Sequence, residues 1–448
     1  MSKKIAPRDG GPLAVPLWQQ LQAVAAVLLA VRSGVSTTVA LKQTPAQLRP
    51  GVQALVFQVL RSLGRAQALR QHLAQRAPPP PADALLCCAL ALAWRGEDAP
   101  YDIFTLVNQA VEAAKRAPAT KAQANFINAC LRRFMRERDA LVAATDHDPA
   151  AQWNHSAWWI KRLQQDHPGR WQQILEASNQ QAPMTLRVNA LKSTRDDYLK
   201  RLASAGIGAR ASGDAGVTLD AATPVQQIPG FAEGVVSVQD AAAQLAAPLL
   251  LRGLQSTAPL RVLDACAAPG GKTAHLLELG HCEVTALDID RDRCARIHEN
   301  LQRLGLDAKV LVGDAARPPS WWDGRLFDAV LLDAPCTASG IVRRHPDVRW
   351  LRRLEDIASL AAIQATLLKA LWPLVRPGGR LLYCTCSVFK AEGVDQMQTF
   401  LAHNTNAVLQ PSPGHLMPQF RAKGDAVPDN SNDDHDGFYL ALLEKRAA

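Results

Sequence analysis

The sequence predicts an α/β protein in three parts: an all-helical N-terminal domain over residues 1–145, a small α+β connecting module over residues 150–235 and a C-terminal Rossmann-like domain over residues 236–448. Three observations carry this reading. Residues 18–138 are alanine- and leucine-rich stretches at helical spacing, broken by Gly, Pro and polar residues. Four apolar runs in the C-terminal half each end in an acid, Asp264, Asp288, Asp314 and Asp333, which lines carboxylates along one edge of a parallel sheet, where such folds bind ligands. The stretch R-V-L-D-A-C-A-A-P-G-G-K-T (261–273) reads as strand, tight loop and helix start. At 448 residues the chain exceeds one ordinary core, and with 48% hydrophobic and 20% charged residues it is globular.

The helical segments of the first part fall at residues 18–31, 50–63, 66–75, 82–94, 103–115 and 122–138, with a four-proline break at 78–81. Residues 23–31 form an apolar run behind Lys3 and Lys4, the nearest thing to a leader. It is too short to span a membrane and follows Gln19, Gln20 and Gln22, so a buried helix is expected. In the last segment Asn125, Asn128, Arg132 and Arg136 step by three and four, placing a polar stripe opposite Phe126, Ile127 and Leu131. That stripe reads equally as a solvated face and as an RNA contact. The net charge is +9, and residues 1–150 hold 18 Lys plus Arg against 10 Asp plus Glu. The excess therefore sits in the first part, which suits a polyanionic partner without requiring one.

Residues 144–154 are polar and contain proline, as a linker would. Residues 156–180 read as one or two helices, with Trp158, Trp159 and Trp171 inside and Trp153 just before, a pattern commoner in cores than in base-stacking platforms. Strands are expected at 185–189, 216–220 and 235–239, with a helix at 194–205. Arg187 and Asn189 read either as contacts to an RNA backbone or as strand-edge structure.

In the third part Gly270 and Gly271 allow backbone angles and close approaches closed to other residues, and the following helix start points N–H groups at a carboxylate or phosphate. The loop is neither G-x-G-x-x-G nor G-x-x-x-x-G-K-[ST], which weighs against dinucleotide and P-loop sites; a purely structural βα turn stays open. Asp288 follows Asp264 at about the interval at which α/β nucleotide sites hold ribose hydroxyls.

The nine cysteines (87, 88, 130, 266, 282, 294, 336, 384 and 386) form no paired C-x-x-C set, so no metal site is expected. An odd count without a secretory signal predicts reduced thiols and a cytoplasmic protein. Cys87, Cys88, Cys130, Cys282 and Cys294 read as small buried hydrophobes.

These motifs together resemble one family. D-A-C-A-A-P-G-G-K-T (264–273), A-L-D-I-D (286–290), G-D-A (313–315), L-L-D-A-P-C-T-A-S-G (331–340), R-R-H-P-D (343–347) and T-C-S-V (385–388) are similar to those of S-adenosylmethionine-dependent RNA (cytosine-5)-methyltransferases of the RsmB/NOP family, in their bacterial 16S ribosomal RNA branch (RsmB/Fmu/Sun). The resemblance implies S-adenosyl-L-methionine as cofactor. Cys266, Ala267, Ala268, Pro269, Gly270, Gly271 and Lys272 would wrap its methionine part, Asp288 the ribose and Asp314 the adenine region, with Asp333 between cofactor and base. It also implies a NusB-like RNA-binding domain at the N terminus, carried by N-F-I-N-A-C-L-R-R (125–133), and an αβ module before the catalytic domain.

By the same resemblance the T-C-S cysteine, Cys386, is the nucleophile and the P-C cysteine, Cys336, assists release. Carbon 5 of cytosine needs a thiolate added at carbon 6 before it can attack a methyl group, and afterwards a proton and the thiol must leave. Geometry alone does not separate Cys384 from Cys386, since residues two apart on a strand share a face; only the motif does. Asp333 would accept from the cytosine amino group or orient the base, and Lys272 would steady Asp333 or a phosphate. Arg343, Arg344, His345 and Arg349 are expected to form a basic loop on the RNA backbone.

Where the family continues T-C-S-V-x-x-E-E-N, this chain has F-K-A-E-G (389–393), keeping one glutamate and losing the asparagine. The stretch D-D-H-D-G-F-Y (433–439) resembles the lead into the family's closing antiparallel strand. The implied partner is the small-subunit precursor RNA, met by a monomer away from any membrane. Transfer RNA is the other substrate compatible with the motifs, and a non-catalytic assembly factor the other class.

Overall fold

A computed structural model describes residues 15–254, 256–418 and 434–446; Lys3, Lys4 and Asp433 lie outside the described residues. The chain divides into two compact units, Met1–Ile160 with His345–Leu351, and Lys161–Arg344 with Arg352–Ala448.

The first unit is helical, as expected. Helices Leu17–Arg32, Arg49–Leu60, Leu63–Leu73, Ile103–Arg116 and Ala124–Ala144 surround Pro80–Ala93, in which every residue from Ala82 to Ala93 is buried. That helix starts inside the proline run because proline is tolerated in a first turn, where its missing N–H has no partner to lose. Asp83 is its one buried acid, and it is neutralised by Arg32 at 2.7 Å and Arg70 at 2.9 Å. A short helix at Thr37–Lys42, capped by Ser36, was not legible from hydrophobic spacing. Residues 144–154 are not a linker. Asp148 caps the helix Pro149–Trp153, and Asn154 accepts from Gly64 N–H at 2.8 Å and donates to the Leu60 carbonyl at 3.0 Å. The polar stripe is solvent-facing at Asn125, Arg132 and Arg136, above buried Ile127 and Leu131. Trp159 is buried, in keeping with a core role.

The second unit begins with the α+β module. Strands β1 (Met184–Val188), β2 (Ala209–Ser212), β3 (Gly216–Leu219) and β4 (Val236–Val238) form an antiparallel sheet in the order β2-β3-β1-β4. Helix Arg195–Ser204 covers it through Tyr198 and Leu202. Strand β2 escaped the sequence because A-R-A-S at a half-buried edge carries no hydrophobic alternation.

The main sheet holds β5 (Leu260–Ala265), β6 (Cys282–Asp288), β7 (Lys309–Val312), β8 (Phe327–Asp333), β9 (Val375–Thr385), β10 (Ala407–Leu409), β11 (Gly414–Leu416) and β12 (Phe438–Lys445). The order is β10-β12-β9-β8-β5-β6-β7, with β11 on β12; β5 to β9 are parallel and β12 runs antiparallel to β9, the expected closing strand. The chain leaves β5 in one direction to β6 and β7, and in the other to β8 and β9. The reversal puts the crevice at the carboxyl ends of β5 and β8. Helix Leu354–Leu371 is apolar and long enough to cross a membrane by composition alone, but its Gln364 is buried and bonded to the Pro335 carbonyl and to Glu392, as in a core helix.

Candidate active site

The loop between β5 and helix Gly271–Leu279 turns through two left-handed positions, Cys266 (φ 60°) and Gly270 (φ 94°). A side chain at Gly270 would be strained and would press on Ile297, 3.1 Å from an added Cβ. The loop is fastened from several sides. Asp288 accepts from the Ala268 and Asp290 N–H groups, both at 3.1 Å, Arg293 donates to the Ala268 carbonyl at 2.9 Å and Asn300 to that of Pro269 at 2.7 Å. Arg187 reaches it from β1. Its guanidinium is fully buried, grips both oxygens of Glu278 at 2.9 and 2.8 Å, donates to the Gly271 carbonyl at 2.8 Å and contacts Gln239.

Arg187 is therefore a strut of this loop and not an RNA contact. Asn189 is likewise buried, bonded to the Gly234 carbonyl and the Leu191 N–H. Nothing in the sequence pairs Arg187 with Glu278, which lie in different folding modules.

The residue set suits a nucleoside that carries an amino acid. Asp264 is completely buried; Thr273 Oγ1 donates to one oxygen at 2.6 Å, and among the described residues the other has no partner. Burial pushes its carboxyl up to about 7. Asp314, two residues beyond β7, keeps a half-exposed carboxylate that accepts from Ala316 N–H at 2.9 Å. Ile289 and Val312, beside Asp288 and Asp314, are exposed apolar groups suited to a flat heterocycle. An added Cβ at Gly271 would meet only Gln239, at 3.6 Å, so the helix start faces open space. Burial pushes the Cys266 thiol up to about 12, leaving it an inert lining group.

At the neighbouring strand ends, Lys272 Nζ lies 2.5 Å from Asp333 Oδ2. Burial disfavours the ammonium, but the Asp333 carboxylate overrides it and the Lys272 pKa is raised. Asp333 and Cys384 are register partners across β8 and β9, and the Cys384 thiol donates to Asp333 Oδ1 at 3.5 Å. Cys384 is fully buried, and burial pushes its thiol well up.

Cys386 lies one residue beyond the end of β9 and is half-buried, with its sulfur 3.4 Å from that of Cys336. The structure thus separates the two candidates on β9: Cys386 faces Cys336, and Cys384 is sealed beneath Asp333.

A buried carboxylate joins the two cysteine loops. Glu392 accepts from Thr337 N–H at 2.9 Å, Ser387 Oγ at 2.6 Å, Gln364 Nε2 at 3.1 Å and the Thr337 hydroxyl. Its own carbonyl accepts from Tyr383 and Thr385. The one glutamate kept from the family's pattern is thus the anchor. The missing asparagine leaves Gly393, where a side chain would collide with the His415 ring, 2.5 Å from an added Cβ. The P-C loop also meets the chain before β12: a Cβ at Gly340 would lie 2.0 Å from the Gly437 carbonyl.

The expected basic loop is not an open RNA clamp. Arg343 is buried against Asp436 at 2.5 Å and Asp434 at 2.8 Å, and Arg344 pairs with Asp240 at 2.8 Å and with Asp436. Arg349 is buried within the helical unit, where burial and Arg61 lower its pKa to about 9. Only His345 of the four is exposed. Carboxylates distant in sequence fill the positions that RNA phosphates were expected to occupy. Among the described residues no group of three or more His, Cys, Asp or Glu side chains is arranged to hold a metal ion.

Comparison with known proteins agrees with this architecture. The family described as 16S rRNA methyltransferase RsmB/F matches residues 253–444, an RsmF/B-like ferredoxin-like domain matches 155–226, and the NusB family matches 21–136. The ribosomal RNA small subunit methyltransferase B of Vibrio cholerae is 41% identical over 433 residues, covering 95% of this chain and 96% of the relative. The protein of the same name from Pseudomonas putida is 45% identical over 339 residues, 72% of this chain and 74% of that one. A crystal structure of a methyltransferase homologue from Pyrococcus horikoshii superimposes with a TM-score of 0.55 at 27% identity, covering 66% of this chain and 98% of that one.

Proposed function

The chain belongs to the RsmB/F family of 16S rRNA methyltransferases, and on that premise we propose that it methylates carbon 5 of a cytosine in 16S ribosomal RNA, with Cys386 as nucleophile and Cys336 as its partner in release. The observation that carries this reading is the 3.4 Å contact between the two thiols. The 266–272 loop would hold S-adenosylmethionine, with Asp288 at the ribose and Asp314 toward the adenine, and the cofactor would supply an electrophilic methyl group.

Cys386 adds as a thiolate to carbon 6 of the base, and the displaced π electrons make carbon 5 nucleophilic. Asp333, fixed by Lys272, accepts from the exocyclic amino group and orients the ring. After transfer carbon 5 gives up its proton to a base, its electrons re-form the ring double bond, and the carbon–sulfur bond breaks toward Cys386. The base must stand clear of its stack for both thiols to reach it. We further propose that the enzyme acts as a monomer, on the small-subunit precursor in the cytoplasm.

The test is incorporation of labelled methyl groups into unmodified 16S RNA and bulk transfer RNA. We expect cytosine methylation of 16S RNA, abolished by Cys386→Ala. Methylation confined to transfer RNA, or no transfer to either despite cofactor binding, would overturn the proposal.

A further inference from the structure

The two thiols are chemically alike and in contact, yet the proposed mechanism needs them unequal: one ionised to attack, the other holding a proton. We propose that Glu392 is the positioning residue that makes them unequal, clamping the two cysteine loops together and holding the pair's proton on Cys336 so that Cys386 is the attacking sulfur. The inference rests on the two-thiol reading above and adds to it a residue that touches neither substrate nor cofactor.

The geometry is asymmetric. Glu392 binds the N–H and hydroxyl of Thr337, the residue directly after Cys336, and through Ser387 Oγ the residue directly after Cys386. Ser387 in turn contacts Ser339, whose hydroxyl accepts from Val388 N–H at 3.0 Å. The P-C and T-C-S loops are thereby stitched into one body, and among the described residues the donors bonded to the Glu392 carboxylate are all neutral. The carboxylate is fully buried, which raises its own pKa against the pull of the Ser387, Thr337 and Gln364 donors, and the field of the charge it carries is poorly screened. It falls on Cys336, whose thiol is raised well above its ordinary value by its hydrogen bond with Cys386, by burial, and by the charges of Cys386 and Glu392.

The other titratable groups packed around the pair do not reverse this. Tyr383 is buried, is raised by burial and donates to the Glu392 carbonyl. Arg352 donates to the main-chain carbonyls of Thr337 at 2.9 Å and Cys336 at 3.3 Å. The Lys272–Asp333 pair lies beside Cys384.

The proton has a use. When the carbon–sulfur bond breaks, its electron pair stays on Cys386, and the S–H of Cys336 stabilises the departing thiolate by a hydrogen bond across the 3.4 Å contact. Cys336 keeps its proton and Cys386 is again the thiolate, so the pair returns to its starting state for the next cycle.

The test needs neither RNA nor methyl donor, so it fails or succeeds apart from the cytosine reading. The full chain is alkylated with iodoacetamide across pH 6 to 10, and peptides carrying Cys336, Cys386 and, as reference, Cys282 are quantified by mass spectrometry. In Glu392→Gln the amide can keep the bonds from Thr337 N–H and Gln364 while the two hydroxyls rotate to accept. The charge is lost and the clamp stays.

We expect Cys336 to lag Cys386 in the wild type and to gain at least about tenfold in relative rate in Glu392→Gln, the effect of about one pKa unit, with Cys282 unchanged. An unchanged Cys336 profile in folded Glu392→Gln would overturn the proposal, as would wild-type Cys336 reacting ahead of Cys386. Should Glu392→Gln not fold, Ser387→Ala, which removes one donor and keeps the charge, is expected to leave the Cys336 lag in place; its loss there would show that loop geometry alone sets the order and would equally overturn it.

Discussion

Arg187 and Glu278 form a bidentate ion pair with both side chains shut away from solvent, one on the central part of the small sheet and the other in the helix that follows the 266–270 loop. Removing one partner strands a buried charge. Arg187→Ala is expected to destabilise the second unit by about 3–5 kcal/mol, read by chemical denaturation. Arg187→Lys should recover little, because a single ammonium cannot span both carboxylate oxygens. The double variant Arg187→Met, Glu278→Leu should regain most of the stability yet bind S-adenosylmethionine more weakly, because the Gly271 carbonyl loses its donor at 2.8 Å. Full affinity in that variant would refute the role of Arg187 as a strut of the loop.

The thiol pair predicts opposite phenotypes for two similar substitutions. Cys386→Ala should form no protein–RNA adduct and show no turnover. Cys336→Ala should still attack and methylate but release slowly, accumulating an adduct that survives denaturing electrophoresis. Loss of a positioned proton donor typically slows the assisted step by about 10²–10⁴-fold, so turnover should fall by that order while a single round of methylation persists. Adduct in Cys386→Ala would exchange the two roles.

Much of this site was legible in the chain because its parts are local. Acids at the ends of apolar runs, the Pro-Gly-Gly turn and the T-C-S and P-C motifs each declare themselves within a few residues. What stayed hidden depends on partners distant in sequence. Arg187 and Arg343 look like RNA contacts until Glu278, Asp434 and Asp436 are seen against them. Residues 144–154 look like a linker because their polarity is spent on capping, by Asp148 and Asn154, within the helical unit. Cys384 and Cys386 share a strand face and part only where β9 ends at Thr385. Glu392 resembled the remnant of a longer acidic motif, and only its four donors show why that glutamate is the one retained.

The buried arginines after the P-C loop carry their own test. Arg343 is 1% exposed at its side chain and Asp436 is fully buried. Arg343→Ala should therefore cost about 3–5 kcal/mol of stability, seen as a lowered midpoint in urea. In whatever fraction remains folded, the slope of log RNA affinity against log salt should be unchanged, because that slope counts phosphate contacts. A shallower slope would return this segment to the RNA interface.

Asp264 predicts how stability depends on pH. Its carboxyl is pushed up to about 7, chiefly by burial and further by Asp333, against the pull of the Thr273 hydroxyl. Unfolded, it would titrate near 3.9. Between about pH 4 and pH 7 the native state thus holds a proton that the unfolded state has lost, so stability falls as pH rises through that window and levels off above it. The slope from this group is at most about 1.4 kcal/mol per pH unit. Asp264→Asn keeps an oxygen to accept from Thr273 and carries no titrating proton. Its stability relative to the wild type, from urea unfolding at pH 5, 6, 7 and 8, should rise steadily up to about pH 7 and then flatten. A difference that stays constant from pH 5 to 8 would mean that Asp264 is ionised throughout, and that the buried end of β5 holds a full negative charge next to the Lys272–Asp333 pair.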